Sequence, residues 1–521
     1  MARKAVPKDA NSTDQIESKL ALVKGIFEDN FRLENPCEIY TETGEFEWCE
    51  ESVVEQALVS DAVTLCDSTA YAKAKRSALI KAPVPWTRED PPMKLGDGFF
   101  GGNGEIHPMD FVHGAAFGAT GSGKTINVVK PFVHSAIQYR LVDGTKSAVL
   151  VIDPKKELTE DIRKLLKSLG ESDRLLVIGE CAPIQIFPED CDLSASDRYD
   201  LYRELLPNEI TTDNVSWRQK ADAMITDLLE LELTYYKRCG KRFMACLAHE
   251  LKVPQTSGAS YWSIVRSVLT YSVQGQKRLH TVAATIEKVC ASQGVVSPST
   301  LVFGSFTGGS DTVDQACYVL MSAQFMINAL SDPSIDELVN LDVIGVSGRT
   351  DLLGLIELAK VIVFQPESTT AHNFAARALK QRFFEAIYKR SDMRQPVFFV
   401  ADEYQTFVSA KDTSLLDRSR GYRTVSLLSS QSLASLRHAL GSNIASTNIV
   451  EILVTNLPSR YSFRSNCIET AAWLKTQIPD NTQGPHILDV RRLATLKPGE
   501  AYYMLADGSW GFDRPSMPLA A

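Results

Sequence analysis

The chain has 521 residues, a length that exceeds a single hydrophobic core and predicts roughly two or three domains. Apolar residues make up 44% of the sequence and charged residues 23%, as in ordinary soluble globular proteins. The formal net charge of −9 excludes a globally basic nucleic-acid coat, but it is compatible with a local basic channel.

Membrane spans and disulfides are not indicated by the sequence. No apolar run approaches the ~18 residues that a membrane-spanning helix needs, and no signal peptide is visible at the N-terminus. Ten cysteines are scattered without a Cys-x-x-Cys pair, which favours a reduced, cytoplasmic protein. Cys239, Cys246 and His249 match no standard zinc-site spacing, so we interpret the two cysteines as ordinary thiols.

Residues 1–92 predict a small N-terminal accessory region with an acidic surface. Apolar residues at helical spacing over 15–27 predict a helix. An aromatic and acidic stretch over 34–51 is compatible with a short hairpin around Thr43-Gly44. The proline-rich segment 82–92 then predicts an extended linker, and a strand-turn-strand unit is expected directly after it.

The phosphate-binding pattern G-x-x-x-x-G-K-[ST] is matched by consecutive residues Gly118, Ala119, Thr120, Gly121, Ser122, Gly123, Lys124 and Thr125. A strand predicted over 110–117 precedes this loop, and helical apolar spacing follows it. The glycines let backbone N–H groups point at phosphate oxygens, Lys124 neutralises the β- and γ-phosphates, and the Thr125 hydroxyl binds Mg²⁺. Pro131 is expected to kink or tighten the following helix.

Alternating strands and helices after this loop predict a mainly parallel α/β sheet, with chemistry at the carboxyl ends of its strands. A second buried strand is predicted over 148–152 and a third over 175–179. Asp153 and Lys155 follow the second strand. Two roles are open to them, capping of the next helix or shaping of the loop beside the nucleotide.

Helical periodicity predominates over residues 194–341 and predicts an all-α domain inserted into the α/β domain. The predicted division is residues 1–92, 93–193, 194–341 and 342–521, of which the second and fourth segments form the nucleotide-binding domain. One basic cluster in the insert lies close to aromatic residues and consists of Lys237, Arg238, Lys241 and Arg242. Such a cluster can bind nucleic acid, although a solvated helix end shows the same pattern more often.

The α/β pattern resumes near residue 360, and a strand predicted over 397–401 ends in two acids. Asp402 at its tip is expected to hold Mg²⁺ together with Thr125. Glu403 is placed to orient and deprotonate the attacking water. The next strand ends in Gln431, whose amide can hydrogen-bond the γ-phosphate or the attacking water.

Three arginines, Arg418, Arg420 and Arg423, precede that strand. A cation at the start of the strand can face the nucleotide of a neighbouring subunit, although arginines at a helix end are usually only solvated. Further strands are predicted over 449–454 and in a terminal hairpin formed by 501–505 and 510–512.

In combination these motifs resemble those of the type IV secretion coupling proteins, the TraG/TraD-like branch of the FtsK/HerA translocases. The resemblance covers about residues 93–515 and rests on the loop 118–125, Pro131, the segment 151–157, Trp217 with Ala221, Leu228 and Leu229, the segment 399–403, and the spacing from Arg420 to Gln431. It implies a RecA-like P-loop fold that binds ATP and Mg²⁺. It also implies that Arg420 is an arginine finger and that Gln431 is a sensor.

The same resemblance implies a ring-shaped hexamer that hydrolyses ATP and drives DNA, single- or double-stranded and irrespective of sequence, with a bound relaxase toward secretion-channel proteins. Members of the family usually begin with membrane helices, and none is predicted here. We therefore expect a cytoplasmic protein that a partner recruits to the inner face of the membrane.

Two alternatives stay open. One is an ATPase that delivers protein substrates, or assembles a secretion machine, without moving DNA. The other is a regulatory module that holds ATP without turnover, and intact Lys124, Asp402 and Glu403 argue against it.

Overall fold

The computed structural model describes residues 36–40, 46–50, 82–96, 99–102, 104–178, 180, 198–199, 202–203, 215–239, 261–268, 310–333, 352–441, 444–477 and 490–515. The chain forms two compact units, Met1–Pro83 with Tyr388–Met393 and Val84–Ile387 with Arg394–Ala521. In the described N-terminal part of the first unit, β1 (Pro36–Tyr40) and β2 (Phe46–Glu50) pair antiparallel, which confirms the predicted hairpin.

The second unit contains a nine-stranded sheet. In chain order its strands are β5 (His113–Phe117), β6 (Ala148–Ile152), β7 (Leu175–Ile178), β8 (Val361–Phe364), β9 (Val397–Ala401), β10 (Thr424–Ser430), β11 (Ser459–Phe463), β12 (Ala501–Met504) and β13 (Trp510–Asp513). Their spatial order is β13-β12-β11-β5-β10-β9-β6-β8-β7. All pairs from β11 to β7 are parallel, and β12 and β13 add an antiparallel hairpin. The predicted mainly parallel sheet and the terminal hairpin are confirmed.

The described helices, with bounds as observed, are α1 (Pro108–Phe111), α2 (Lys130–Gln138), α3 (Thr159–Ser168), α4 (Val215–Cys239), α5 (Tyr261–Val268), α6 (Ser310–Leu330), α7 (Leu352–Glu357), α8 (Thr370–Lys389), α9 (Asp412–Ser419), α10 (Leu433–Ala439), α11 (Ile444–Thr455), α12 (Ile468–Gln477) and α13 (Val490–Thr495). Within the described ranges, none of these helices has the length and apolarity needed to cross a membrane. Helices α4, α5 and α6 lie in the segment predicted as an all-α insert, whose boundaries stay a prediction.

The central strands are buried at every position because helices cover both faces of the sheet. Strands β6, β8 and β9 have the sequences AVLVI, VIVF and VFFVA, and all of these side chains are excluded from solvent. Continuous apolar runs of this kind are typical of parallel strands inside α/β proteins. Polar residues that follow these strands are therefore held at one edge of a rigid sheet.

The approach to β5 differs from the expectation. A short antiparallel pair, β3 (Met93–Lys94) and β4 (Glu105–Ile106), confirms the predicted strand-turn-strand unit. Helix α1 comes next, with Pro108 in its first turn, and the Met109 N–H donates to the Nδ1 atom of the capping residue His107 at 3.2 Å. Proline favours the first turn of a helix. Strand β5 consequently begins at His113 and not at Asp110.

Pro131 occupies the second position of α2, directly after a π-helical turn, Thr125–Val129. Proline has no N–H to donate, and its ring needs space where the carbonyl of the preceding turn would lie. The π-helical turn is wider than an α-helical one and provides this space. The helix is irregular where the sequence predicts irregularity, but the turn widens and does not tighten.

The strand predicted over 449–454 is wrong, because these residues lie in α11. Val450, Leu453 and Val454 are buried, whereas Ile452 is 53% exposed, which is helical spacing and not the alternation of a strand. The strand that follows α11 is β11, which pairs with β5 and whose sequence Ser-Arg-Tyr-Ser-Phe is buried throughout.

Residues 84–92 of the predicted linker belong to the second unit, where a buried ion pair holds them among other contacts. Arg423 Nη1 donates to Asp90 Oδ1 at 2.9 Å, and the two side chains are 7% and 8% exposed. The Arg423 guanidinium also lies over the ring of Trp86, 5.5 Å from its centroid. The Thr87 N–H donates to the second Asp90 oxygen at 2.7 Å. Asp90 therefore joins the linker to the start of β10.

Asp90→Ala is expected to lower the free energy of unfolding by about 3 kcal/mol, because it leaves the Arg423 charge buried without its partner. The measurement is the midpoint of urea unfolding. Asp110→Ala is the matched control, since Asp110 pairs with Arg88 at the surface, where an ion pair contributes little. Equal midpoints for the two variants would contradict this account of the linker.

Candidate nucleotide-binding site

The loop Gly118–Thr125 follows β5 at the carboxyl edge of the sheet. The Gly118 N–H donates to the Ser430 carbonyl at 3.2 Å, and the Gly499 N–H donates to the Ser122 carbonyl at 2.9 Å. Gly123 has a φ of +101°, and a Cβ atom added to it would lie 2.8 Å from the Gly499 nitrogen. Only glycine fits there, so the packing of the loop requires the glycine that the phosphate-binding pattern specifies at this position.

Lys124 is a buried cation near the end of this loop. Its side chain folds over the loop, and Nζ donates to the carbonyls of Gly118 and of Ala119, the second at 3.3 Å. Burial lowers the pKa of Lys124, while the nearby carboxylates of Glu403 and Asp402 oppose this shift. A lysine at this position is placed to neutralise phosphate oxygens bound by the loop.

Thr125 is the last residue of the phosphate loop and contacts Asp402, which directly follows β9. The Thr125 hydroxyl donates to Asp402 Oδ2 at 3.0 Å. Asp402 is fully buried at the end of β9, and its N–H donates to the Ile152 carbonyl of β6 at 3.0 Å. A hydroxyl and a carboxylate are oxygen donors of the kind that Mg²⁺ prefers. These two residues therefore fit the predicted Mg²⁺ position.

Glu403 carries the most heavily bonded carboxylate of the site. Lys155 forms an ion pair with Oε1, whereas Gln405 and Gln431 donate to Oε2, Gln431 at 3.0 Å. Burial alone would raise the pKa of Glu403, but the hydrogen bonds from these three residues outweigh burial and lower it. Glu403 thus lies beside the phosphate loop as an ionised carboxylate, and its role as the base stays a prediction.

Asp153 and Lys155, which follow β6, have different partners. The Leu158 N–H donates to Asp153 Oδ2 at 2.7 Å, so Asp153 holds the turn before α3, and burial raises its pKa to about 6. Lys155 instead points to Glu403. Asp153 thus stabilises the turn before α3, whereas a role of Lys155 beside the nucleotide stays a prediction.

Arg420 lies at the opposite edge of the sheet. It begins a 3₁₀ turn, Arg420–Tyr422, just before β10, whereas Gln431 follows the end of that strand. A seven-residue strand spans about 20 Å at ~3.3 Å per residue, so Arg420 is remote from its own phosphate loop. Its side chain is exposed, while Arg423 is bound to Asp90 inside the unit.

His113 is hydrogen-bonded to β10, the strand that follows the turn of Arg420. The Ser426 N–H of β10 donates to His113 Nδ1 at 3.1 Å, and Nε2 lies 3.1 Å from the Leu416 carbonyl of α9. Burial lowers the pKa of His113 to about 4, which keeps the ring neutral with one nitrogen accepting and the other donating. The ring therefore joins β5, β10 and α9 beneath Arg420.

The predicted basic cluster cannot be located in the same way. Lys237 and Arg238 lie near the end of α4, and their side chains fall outside the described part, as do Lys241 and Arg242 entirely. Its contact with DNA stays a prediction. Of the candidate thiol set, Cys246 and His249 also lie outside the described residues. Among the side chains that are described, no group of three or more His, Cys, Asp or Glu could hold a metal ion.

Gln405 is the contact residue that the sequence interpretation misses. It stands two positions after Glu403 in a 3₁₀ turn, Tyr404–Thr406, and its Oε1 accepts the Gln431 N–H at 3.4 Å. A glutamine so close to the acidic pair is the only signal that the sequence offers.

No protein-family model and no curated protein matches this chain. Among solved structures, the unbound bacterial conjugative coupling protein TrwBdeltaN70 is 13% identical, with a TM-score of 0.51 over 86% of this chain and 92% of that chain. The TrwB complexes with ADP and Mg²⁺ and with the ATP analogue ADPNP are each 14% identical, with a TM-score of 0.53 over 86% and 93%. The chain has the RecA-type P-loop fold of this coupling protein. This confirms the predicted fold class and, at the level of the fold, the resemblance.

Proposed function

We propose that this chain is a Mg²⁺-dependent ATPase of a type IV secretion or conjugation apparatus. One observation carries the proposal. Four residues converge at the carboxyl edge of one sheet, namely Lys124, Thr125, Asp402 and Glu403, and the Thr125 hydroxyl oxygen lies 3.0 Å from Asp402 Oδ2. TrwB, which shares the fold, is described in complexes with ADP and Mg²⁺ and with an ATP analogue. The same ligands are proposed here.

The residues have distinct tasks in this proposal. Loop N–H groups and Lys124 bind the β- and γ-phosphates, and Thr125 and Asp402 hold Mg²⁺, which neutralises charge on these phosphates. Glu403 accepts the proton of the attacking water. Gln431 hydrogen-bonds Glu403 from the neighbouring strand, a position from which its amide can also orient that water.

The finer proposal is a hexameric motor that moves DNA, with a bound relaxase or another secretion substrate, into a secretion channel. Remote and exposed Arg420 supports an oligomer, because an arginine finger in that place serves the site of a neighbouring subunit. Secretion-channel proteins are then partners. A membrane-bound partner would recruit the ring to the inner face of the membrane.

Delivery of proteins without movement of DNA is the competing function. The two are separated by ATP turnover measured with and without single- and double-stranded DNA, beside a native mass measurement of the assembly. Stimulation by DNA supports the motor. Turnover that DNA leaves unchanged at low salt supports protein delivery.

A DNA contact by the basic cluster of Lys237, Arg238, Lys241 and Arg242 would be visible as salt dependence. Each neutralised phosphate contributes roughly 0.7–0.9 to the slope of log affinity against log salt. Replacing all four residues by alanine is expected to flatten the slope by about 3 and to leave ATP affinity unchanged.

The matched control for the cluster replaces four exposed lysines elsewhere, Lys94, Lys164, Lys167 and Lys475, which removes the same charge. Affinity should also be indifferent to base sequence, because phosphate contacts carry no base information. Equal slopes of log affinity against log salt in the cluster variant and the wild type would mean that the cluster is a solvated helix end.

A further inference from the structure

The carboxylate proposed as the general base has both oxygens in use. Glu403 Oε1 pairs with Lys155, and Oε2 accepts from Gln405 and Gln431. A carboxylate offers about four acceptor positions, and three donors contact this one. A general base must accept a hydrogen bond from the water it deprotonates. Lys155 is the one described contact of Oε1, and its ammonium limits the access of water to this buried oxygen.

Lys155 has a fixed backbone and a movable side chain. The Asp153 N–H donates to the Phe364 carbonyl at 2.9 Å, and the Lys156 N–H donates to the Asp153 carbonyl at 3.2 Å, so the loop is anchored on the sheet. The Lys155 side chain is 32% exposed, compared with 8% for Glu403. Its ammonium ends a flexible four-carbon stem with three rotatable donors. The ammonium can therefore change partner while the loop keeps its place.

Phosphates bound by the loop would offer Lys155 a second partner. Gln431 donates to Glu403 at 3.0 Å, and the carbonyl of the preceding residue, Ser430, accepts the N–H of Gly118 in the phosphate loop at 3.2 Å. The phosphate loop and the pair Lys155–Glu403 thus share one region. A bound triphosphate carries several negative charges and Glu403 carries one, so the phosphates attract the ammonium more strongly.

The backbone of Glu403 indicates that the observed arrangement is held by its contacts. Glu403 has φ 46° and ψ 40°, a left-handed conformation that residues other than glycine rarely adopt. Its N–H donates to Asp402 Oδ1 at 3.0 Å, and its side chain is held by the three donors. Loss of the Lys155 contact would leave the side chain freer to turn toward water.

We propose that Lys155 is a positioning residue that restrains the base Glu403, and that the phosphates of a bound nucleoside triphosphate draw Lys155 away and free Oε1. The inference rests on the proposed ATPase function and adds a restraint on it. Turnover is then limited by how readily the ion pair opens.

The test compares kcat and KM for ATP, without DNA or protein cargo, in Lys155→Met, Lys155→Arg and Lys156→Met. Lys155→Met is expected to raise kcat about tenfold, the factor that corresponds to loss of one charge-assisted hydrogen bond, and to raise KM because the contact with the γ-phosphate is lost. Lys155→Arg keeps the ion pair and should stay near wild type. Lys156→Met removes the same charge from the adjacent residue, which is 53% exposed and lies 3.7 Å from Glu367, and should also stay near wild type.

Two results overturn the restraint. A fall of kcat in Lys155→Met would mean that Lys155 stabilises the transition state, and a kcat equal to that of Lys156→Met would mean that the ion pair is only structural. A crystal structure with a non-hydrolysable ATP analogue gives a readout besides activity: the Lys155 ammonium should contact the γ-phosphate and leave Glu403. Persistence of the ion pair with the analogue bound would also overturn it.

Failure of the proposed function is visible in the wild type alone. A wild-type chain that neither binds nor hydrolyses ATP contradicts the ATPase, and with it the trigger for Lys155. If the wild type hydrolyses ATP and the Lys155 variants have the same kcat, only the restraint by Lys155 is contradicted.

Discussion

Glu403→Gln is expected to bind ATP about as tightly as the wild type and to lower kcat by about a thousandfold, within the range for loss of a general base. The amide has nearly the size of the carboxylate, so the packing around it is kept. It cannot accept the proton of the attacking water. ATP affinity is measured by equilibrium binding, and turnover by phosphate release.

Two further variants calibrate this result. Lys124→Ala should lose ATP affinity, because the buried cation in the phosphate loop is removed. Glu367→Gln neutralises an exposed carboxylate that lies 3.7 Å from Lys156, and it should alter neither affinity nor kcat. Normal turnover by Glu403→Gln would remove Glu403 as the base.

Arg420→Ala is expected to lower kcat on the order of a thousandfold or more, the usual effect of removing an arginine finger. ATP affinity should change much less, because Arg420 lies at the other edge of the sheet from its own phosphate loop. Arg418→Ala is the matched control, since Arg418 is also exposed and lies two positions away in α9.

A mixing experiment separates action on a neighbour from a local effect of Arg420. Inactive Arg420→Ala subunits are combined with inactive Glu403→Gln subunits, and the mixed assemblies are isolated. Some interfaces then contain an intact Arg420 from one subunit and an intact Glu403 from the other. Recovered turnover supports a shared site. No recovery in assemblies shown to be mixed would contradict it.

The sequence predicts the strands of the second unit well where apolar runs are continuous. Strands β6 and β9 have the predicted bounds, because a strand covered on both faces must be apolar at every position. It misses β11, which begins with the polar residues Ser459 and Arg460. In the structure, the Ser459 hydroxyl donates to the Phe111 carbonyl at 2.8 Å, and the Arg460 Nε donates to the Leu457 carbonyl at 2.6 Å. Such compensation depends on neighbours that periodicity does not reveal.

In the candidate site, local patterns are also predicted from the sequence, whereas contacts between distant segments are not. The phosphate loop and the acidic pair are local patterns, and parallel strands bring their ends to one edge, so Thr125 and Asp402 meet although 277 positions separate them. The ion pair of Lys155 with Glu403 depends on which strands are neighbours. β6 lies beside β9 in the sheet, although β7 and β8 come between them in the sequence. Arg423 likewise finds Asp90 across 333 positions, which no spacing rule predicts.

The most direct test of the central claim is ATP turnover by the purified wild-type chain with Mg²⁺, with chelator in place of Mg²⁺, and by Lys124→Ala prepared in parallel. We predict phosphate release by the wild type that disappears with the chelator and in Lys124→Ala. Turnover that survives both, or a wild type that releases no phosphate with Mg²⁺ and DNA present, would contradict the account.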